Sequence, residues 1–151
     1  MPGLALLILI TVALGFEFIN GFHDTANAIA VSIHTGALSA GRAVALAAVM
    51  NLLGAFASEN VARTISGELI SAAIDEYTII TALIAAIIWN LFTWYLGMPA
   101  SSSHALIGAL IGASVVFTGS TDAVLWKNLF LKVVLPLFLC PPAGFAAGAL
   151  A

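Results

Sequence analysis

The long stretches without acidic or basic side chains constrain this chain more than any other feature of its sequence. No Asp, Glu, Lys or Arg occurs in residues 1–16, 25–41, 43–58, 77–121 or 133–151. A helix needs roughly 20 apolar residues to cross the hydrocarbon core of a bilayer, with about 17 as the lower limit. The stretch from 77 to 121 has room for two membrane elements, and each of the others for about one. The sequence therefore predicts an all-α integral membrane protein that has the lipid bilayer as a partner.

The composition excludes the other broad classes of protein. Hydrophobic residues make up 62% of the chain and charged residues only 7%, whereas a soluble domain has about a quarter charged residues. This excludes an ordinary cytosolic enzyme and a disordered tail, and four Lys and Arg residues are too few for a nucleic-acid binder. The single cysteine, Cys140, allows neither an internal disulfide nor a metal cluster, so we expect no metal site. We expect residues 1–151 to form one transmembrane domain, with a membrane helix rather than a signal peptide at the N-terminus.

Hydrophobic runs and turn residues predict the order of the elements. Asn20-Gly21 and Gly97-Met98-Pro99 are turn signals, so we expect the helices to be broken at both places. A connector is expected over Asp122–Lys132. The helices are predicted over Leu4–Ile19, Thr25–Ile33, Ala43–Ala57, Tyr77–Leu96, Ala105–Phe117 and Val133–Ala151, with an amphipathic interfacial segment over Glu59–Glu76.

The few basic residues suggest an orientation and a re-entrant fold. If Arg42 lies in the cytoplasm, the N-terminus and the acidic segment 59–76 lie outside. Lys127 and Lys132 then return to the cytoplasm only if residues 99–117 dip into the membrane and come back. The positive-inside rule therefore favours a re-entrant helical hairpin over a full crossing.

The first polar segment, Glu17–Ala28, places the carboxylate of Asp24 at membrane depth, where insertion costs roughly 2.5–3.5 kcal/mol. Asp24 and Asn27 are three positions apart, so they would share one face of a helix that begins at the Gly21 break. With carbonyl groups freed by that break, they offer oxygen ligands for Na⁺ or a carboxylate that carries a proton. The alternative, compatible with the first, is that Asp24 caps the helix that follows it and Asn27 bonds to a neighbouring helix.

The second polar segment, Pro99–His104, begins a helix with three hydroxyl side chains. Ser101, Ser102 and Ser103 lie where free backbone N–H groups and the positive end of the helix dipole are exposed. These donors can surround a phosphate or sulfate ion without a fixed basic residue. Plain N-capping with tight packing is the alternative. Asn51 and Asn90, midway along predicted helices, are either interhelical hydrogen-bonding residues or ion ligands.

An enzymatic role is not expected, although Ser, His and Asp occur in the two polar segments. Ser103 and His104 are neighbours, and adjacent helical side chains diverge, so they cannot readily pair as nucleophile and base. The sequence has no Gly-x-Ser-x-Gly elbow. The remaining enzymatic alternative is an intramembrane serine protease that pairs Ser101 or Ser102 with His23.

The two polar segments together resemble the inorganic phosphate transporter (PiT) family, and its bacterial low-affinity permease branch more than its sodium-coupled branch. The resemblance lies in Asn20–Ala28 (Asn-Gly-Phe-His-Asp-Thr-Ala-Asn-Ala) and in Trp89–His104, which ends in Gly-Met-Pro-Ala-Ser-Ser-Ser-His. It covers Phe16 to about Lys132. It implies an inverted-repeat fold with phosphate bound midway through the membrane between two halves.

The resemblance also implies roles for single residues. Asp24 and Asn27 match the motif that binds phosphate and the coupling cation, and residues 101–103 match the serine-rich turn beside the phosphate. Asn51 and Asn90 match polar positions near the ion site, and the role of His23 is open because this position differs between branches.

The family carries both motifs twice, whereas each occurs once here. We therefore expect a truncated transporter: the first repeat, lacking the second, which works with a complementary second-half chain or as a homo-oligomer. The predicted function is cation-coupled phosphate symport across the cell membrane without a cofactor. A proton is favoured over Na⁺, and phosphate is carried free or as a metal complex. The alternatives are a sulfate permease of the same architecture and a half-subunit that does not transport by itself.

Overall fold

The first helix is longer than the sequence predicts. The computed structural model of the chain describes residues 2–57, 69–70 and 74–150. In it, helix α1 runs from Pro2 to His34, 33 residues, a length of about 50 Å at 1.5 Å per residue. The predicted break at Asn20-Gly21 is wrong, because the helix continues through both residues. A single glycine inside a helix costs only about 1 kcal/mol relative to alanine, and the apolar residues on both sides favour the helix.

The continuity of α1 through Gly21 has two consequences for the first polar segment. No carbonyl groups are freed near Gly21, because it lies inside a continuous helix. Asp24 also lies in the interior of α1, ten positions before its end, so the expectation that Asp24 caps a helix is wrong as well. Its carboxylate is presented on the side of a regular helix instead.

The remaining helices follow most of the predicted elements. The helices predicted over 43–57 and 77–96 are confirmed, whereas the predicted connector is wrong from Trp126 onward, where helix resumes. Apart from 69–70 and 74–76, the amphipathic segment predicted over 59–76 lies outside the described residues. The observed elements are α2 (Ala40–Ala57), α3 (Glu76–Tyr95), α4 (Ser102–Thr118), a 3₁₀ turn (Thr121–Ala123) and α5 (Trp126–Leu150), which contains a π-helical stretch (Phe130–Val134).

Local hydrogen bonds explain where α3 and α4 begin and end. Asp75 caps α3 by accepting hydrogen bonds from the Thr78 hydroxyl at 2.5 Å and the Thr78 N–H at 2.9 Å. These two bonds hold the pKa of Asp75 below its ordinary value. Gly97 and Gly119, with φ of 65° and 69°, follow α3 and α4, and glycine adopts this left-handed conformation without a steric penalty. The predicted break after α3 is therefore confirmed.

The described helices have the length and surface of membrane helices. Three of them, α1, α3 and α5, are long and apolar enough to cross a bilayer, and α2 and α4 are apolar but shorter. Large apolar side chains are widely exposed, among them Leu14, Phe56 and Val116. An exposed apolar surface of this extent marks a membrane or protein contact. The prediction of an all-α membrane protein is confirmed.

Helix α3 lies between α1 and α4 and packs against both. Phe16 of α1 is buried against Leu83 and Ala86 of α3. Further along, the rings of Phe22 and Trp94 meet edge to face with centroids 5.7 Å apart. The later residue of α1, Phe22, contacts the later residue of α3, Trp94. The two helices therefore run parallel. The end of α3 therefore lies beside the middle of the much longer α1.

Helix α4 runs back alongside α3 over its full length. After α4, the N–H of Leu125 donates to the carbonyl of Leu69 at 2.9 Å, and Val124 pairs with Ile70. Leu69 and Ile70 precede α3, so the end of α4 returns to the level at which α3 begins. The chain therefore reverses between α3 and α4 rather than within residues 99–117, and the re-entrant hairpin stays a prediction. Seventeen uninterrupted helical residues extend about 26 Å, which leaves no turn at which this segment reverses.

Candidate functional site

The connection between α3 and α4 brings the two polar segments together at the middle of α1. Ser102 is the first residue of α4 and is fully buried. Its hydroxyl oxygen lies 2.5 Å from Oδ2 of Asp24 and also contacts the side-chain oxygen of Asn20. An oxygen–oxygen distance of this size is typical of a hydroxyl that donates to a carboxylate. The site therefore joins the start of α4 to one face of α1.

One hydroxyl proton faces two acceptors in this cluster. A serine hydroxyl carries a single hydrogen, whereas an ionised carboxylate and an amide oxygen only accept. The amide of Asn20 is oriented by Nδ2, which donates to Oε2 of Glu17 at 3.4 Å, so its oxygen faces Ser102. With Asp24 ionised, the hydroxyl of Ser102 can donate to only one of its two neighbours. The cluster is therefore one proton short of full hydrogen bonding.

A groove between α1 and α2 leads to this cluster. It has a volume of about 920 Å³, and its polar lining includes Glu17, Asn20, Asp24, Thr25 and Asn51. Nδ2 of Asn51 donates to the hydroxyl oxygen of Thr25 at 3.4 Å, which ties α2 to α1. The groove is otherwise lined mainly by small and apolar side chains. It offers an open approach from one side of the helices to the carboxylate of Asp24.

The structure brings together only part of the predicted site. Asp24 and Ser102 are in contact, and Asn51 lines the same groove. Asn27 is exposed and does not line the groove. Asn90 is fully buried in α3, where both polar atoms of its amide have no hydrogen-bond partner among the described residues.

The other two serines of the second polar segment differ from Ser102. Ser101 caps α4, as the capping alternative expected: its side-chain oxygen accepts from the N–H of His104 at 3.3 Å and lies 2.8 Å from Nδ1 of the same residue. Ser103 is exposed. The hydroxyl of Ser102 donates towards oxygen atoms and contacts no histidine nitrogen, so the nucleophile–base pair of a serine protease is not formed there.

Several polar residues of the site were not predicted as binding residues. From the sequence, Asn20 is assigned to a turn and Glu17 only to the beginning of the first polar segment. Glu17, Asn20 and Asp24 follow one another at intervals of three and four, the spacing of one helix face. This spacing is visible in the sequence, but the break expected at Gly21 would place Glu17 and Asn20 on a different helix from Asp24.

Within the described residues, no group of three His, Cys, Asp or Glu side chains is arranged to hold a metal ion.

The family model that matches this chain and the relatives named here are all described as phosphate transporters. A model of the phosphate transporter family matches residues 20–151. A probable low-affinity inorganic phosphate transporter of Bacillus subtilis (strain 168) is 49% identical, with 96% of this chain and 44% of the relative covered. A probable low-affinity inorganic phosphate transporter of Mycobacterium tuberculosis (strain ATCC 25618 / H37Rv) is 48% identical, with 95% of this chain and 34% of the relative covered.

A third relative extends the comparison to another bacterial group. The low-affinity inorganic phosphate transporter PitA of Escherichia coli (strain K12) is 42% identical, with 90% of this chain and 29% of the relative covered. The chain thus spans less than half the length of these three relatives. No solved structure matches the chain.

Proposed function

The chain belongs to the phosphate transporter family, and we propose that it contributes to a transporter that binds inorganic phosphate at the Asp24–Ser102 cluster and carries it with a proton. It is a multi-pass membrane protein, and the family is one of transporters rather than enzymes. The cell membrane is the membrane in which we place it. The observation that carries the proposal is the contact between the buried hydroxyl of Ser102 and the carboxylate of Asp24.

The start of α4 supplies the donors that a phosphate ion requires. The first N–H groups of a helix have no partner within the helix, and the helix dipole makes this end partly positive. Ser102 connects this turn to Asp24 through its hydroxyl, and Ser101 and Ser103 flank it. Anions bind at helix N-termini for these reasons without a basic side chain. We assign phosphate binding to the first turn of α4, with Asp24 of α1 beside it.

The missing proton of the cluster supports a proton as the coupling ion. Phosphate and an ionised Asp24 repel each other, so burying both is unfavourable unless a positive charge accompanies them. A proton on Asp24 removes this repulsion and supplies the second hydrogen that the oxygens of Asp24, Ser102 and Asn20 need. The 2.5 Å separation of Ser102 and Asp24 leaves no space for Na⁺ between these two oxygens. Asp24 is therefore the residue to which we assign proton coupling.

Of the other expected ion ligands, Asn51 fits the proposal best. It faces the groove that leads to Asp24 and is hydrogen-bonded to Thr25, the residue after Asp24. We assign to it a role in the approach to the site. Asn27 and Asn90 lie outside the groove, and the proposed step does not use them.

The polar groove supports a second structural unit that covers the site. Glu17 and Asn51 are exposed and Asp24 is partly exposed, and a carboxylate facing lipid costs roughly 2.5–3.5 kcal/mol. Protein contacts or a water-filled path remove this cost. We propose that these residues are covered by a second repeat, either further along a longer protein, in a complementary chain or in a second copy. Residues 1–151 then form the first repeat of an inverted-repeat transporter in which the two halves alternate around the site.

Uptake of radiolabelled phosphate into proteoliposomes tests the proposal. One preparation contains this chain alone. The other contains a chimera in which this chain replaces the matching segment of the Bacillus subtilis relative, which supplies the remaining length. We expect the chimera to accumulate phosphate when the interior is alkaline and to lose accumulation when the pH gradient is collapsed. Accumulation that is independent of the pH gradient but follows a Na⁺ gradient would contradict proton coupling. A chimera that accumulates no phosphate under either gradient would contradict the whole proposal.

A further inference from the structure

A buried histidine contacts the carboxylate oxygen of Asp24 that does not face Ser102. His23 is 5% exposed. Its Nδ1 lies 3.3 Å from Oδ1 of Asp24, while the other oxygen of that carboxylate contacts Ser102. On the far side of the ring, Nε2 lies 3.5 Å from the hydroxyl oxygen of Thr93. The imidazole therefore connects the proposed binding carboxylate on α1 to the end of α3.

The hydrogen-bonding capacity of these groups determines the tautomer of His23. An ionised carboxylate only accepts hydrogen bonds, so Nδ1 must carry the hydrogen that faces Asp24. Nε2 of a neutral ring is then an acceptor, and the hydroxyl of Thr93 is the donor within reach. That hydroxyl also lies 3.0 Å and 3.1 Å from the carbonyl oxygens of Trp89 and Asn90. Thr93 can therefore donate either to its own helix or to His23.

We propose that His23 is a positioning residue that fixes the orientation of the Asp24 carboxylate. Its Nδ1–H holds Oδ1, which leaves Oδ2 directed at Ser102, and Thr93 holds the opposite edge of the ring. The inference rests on the proposed function, since it deepens the description of the same site. It also couples two helices, because a shift of α3 relative to α1 moves Thr93 away from His23 and releases one side of the ring.

Two substitutions at position 23 separate the two edges of the ring. In His23→Asn the side-chain amide nitrogen takes the place of Nδ1 and keeps a donor for Asp24. In His23→Gln the amide nitrogen takes the place of Nε2, so that donor is lost. We expect phosphate affinity, measured on the purified chimera, to fall about tenfold or more in His23→Gln, as for the loss of a hydrogen bond to a charged group. In His23→Asn we expect it to stay within about threefold.

Nitrogen NMR of the histidine rings supplies a readout that needs no phosphate. The measurement uses the chain in nanodiscs, with the signals of His34 and His104 assigned by substitution. We expect Nδ1 of His23 to carry hydrogen, its signal to move in Asp24→Asn, and the Nε2 signal to move in Thr93→Val. A bare Nδ1, or signals that ignore both substitutions, would overturn the inference.

The two readouts distinguish the inference from the function on which it rests. If the unsubstituted chimera binds no phosphate, the proposed function is wrong, and the tautomer still decides the role of His23. If phosphate binds and His23→Gln and His23→Asn lose affinity equally, with unchanged thermal stability, the positioning role is wrong although the function stands. Equal loss with lowered thermal stability in both variants would assign His23 to packing and would also overturn the inference.

Discussion

The hydroxyl of Ser102 lies 2.5 Å from the carboxylate of Asp24, although the two residues are 78 positions apart in the sequence. The contact is made because α3 runs parallel to α1 and ends beside its middle. The short connection to α4 then places the first residue of α4 against α1. Two polar segments that are separate in the sequence thus form one cluster inside an apolar helical protein.

Replacing the buried serine should weaken phosphate binding selectively. Ser102→Ala removes the hydroxyl that holds the Asp24 carboxylate at the site, and a lost hydrogen bond to a charged group costs roughly 1.5–3 kcal/mol, which corresponds to about 10- to 150-fold in affinity. Ser103→Ala is the matched control, because Ser103 is exposed and should change affinity less than about threefold. Calorimetric titration of the chimera with phosphate measures both. Equal losses in the two variants would show that the contact of Ser102 with Asp24 gives Ser102 no special part in binding.

Replacing the carboxylate should uncouple transport from the proton gradient. Asp24→Asn keeps the size of the side chain but cannot release or take up a proton. We expect it to abolish accumulation of phosphate driven by an alkaline interior while leaving insertion into the membrane unchanged. Uptake into proteoliposomes with and without the gradient measures the effect. Gradient-driven accumulation at the unsubstituted level would show that another group couples the proton.

A substitution at Gly21 tests whether α1 is continuous. A Cβ placed on Gly21 meets no atom within 4 Å, and alanine is more stable than glycine in a helix interior by roughly 0.5–1 kcal/mol. Gly21→Ala should therefore stabilise the protein by about this amount. Reversible unfolding in mixed detergent micelles measures the difference. A loss of stability would indicate a broken helix in which Gly21 adopts a conformation that alanine resists.

The cap of α3 predicts an unusually acidic aspartate. Hydrogen bonds from Thr78 lower the pKa of Asp75, so its contribution to stability is present above the pKa of the unfolded chain and is lost as the pH falls through the folded value. Thr78→Val removes the hydroxyl bond and keeps the N–H bond. The pKa of Asp75, followed by carbon NMR during an acid titration, should rise towards its ordinary value in this variant. An unchanged pKa would show that the hydroxyl of Thr78 is not involved.

The membrane class and most helix positions could be predicted because they depend on local features. Apolar length determines whether a segment crosses a bilayer, and Gly97 and Pro99 end α3 through their own backbone preferences. Gly21 misled the prediction because glycine is compatible with both turn and helix, and its neighbours decided the outcome. The charges of Lys127 and Lys132 indicate a reversal within residues 99–117, whereas the chain reverses between α3 and α4, where Gly97 ends α3.

The site residues that could be predicted are those whose residue type alone indicates a binding role, independent of how the helices pack. Asp24 is predicted because a carboxylate is costly at membrane depth, and Ser101, Ser102 and Ser103 are predicted because hydroxyls at the start of a helix can bind an anion. His23 and Thr93 were not assigned, because their importance depends on α3 lying beside α1 in a particular register. Tertiary packing of this kind leaves no local pattern in a single sequence. Asn20 is intermediate, since its spacing from Glu17 and Asp24 indicates a shared face once α1 is known to be continuous.

A double-mutant cycle on phosphate binding tests most directly whether Asp24 and Ser102 form one binding site. The dissociation constant of the chimera for phosphate is measured by calorimetry for the unsubstituted protein, Asp24→Asn, Ser102→Ala and the double variant. Residues in direct contact typically show interaction energies of about 0.5–3 kcal/mol, whereas independent residues add. We predict an interaction energy of at least about 1 kcal/mol between the two substitutions. Additive effects, or affinity unchanged in all three variants, would contradict the assignment of phosphate to this cluster.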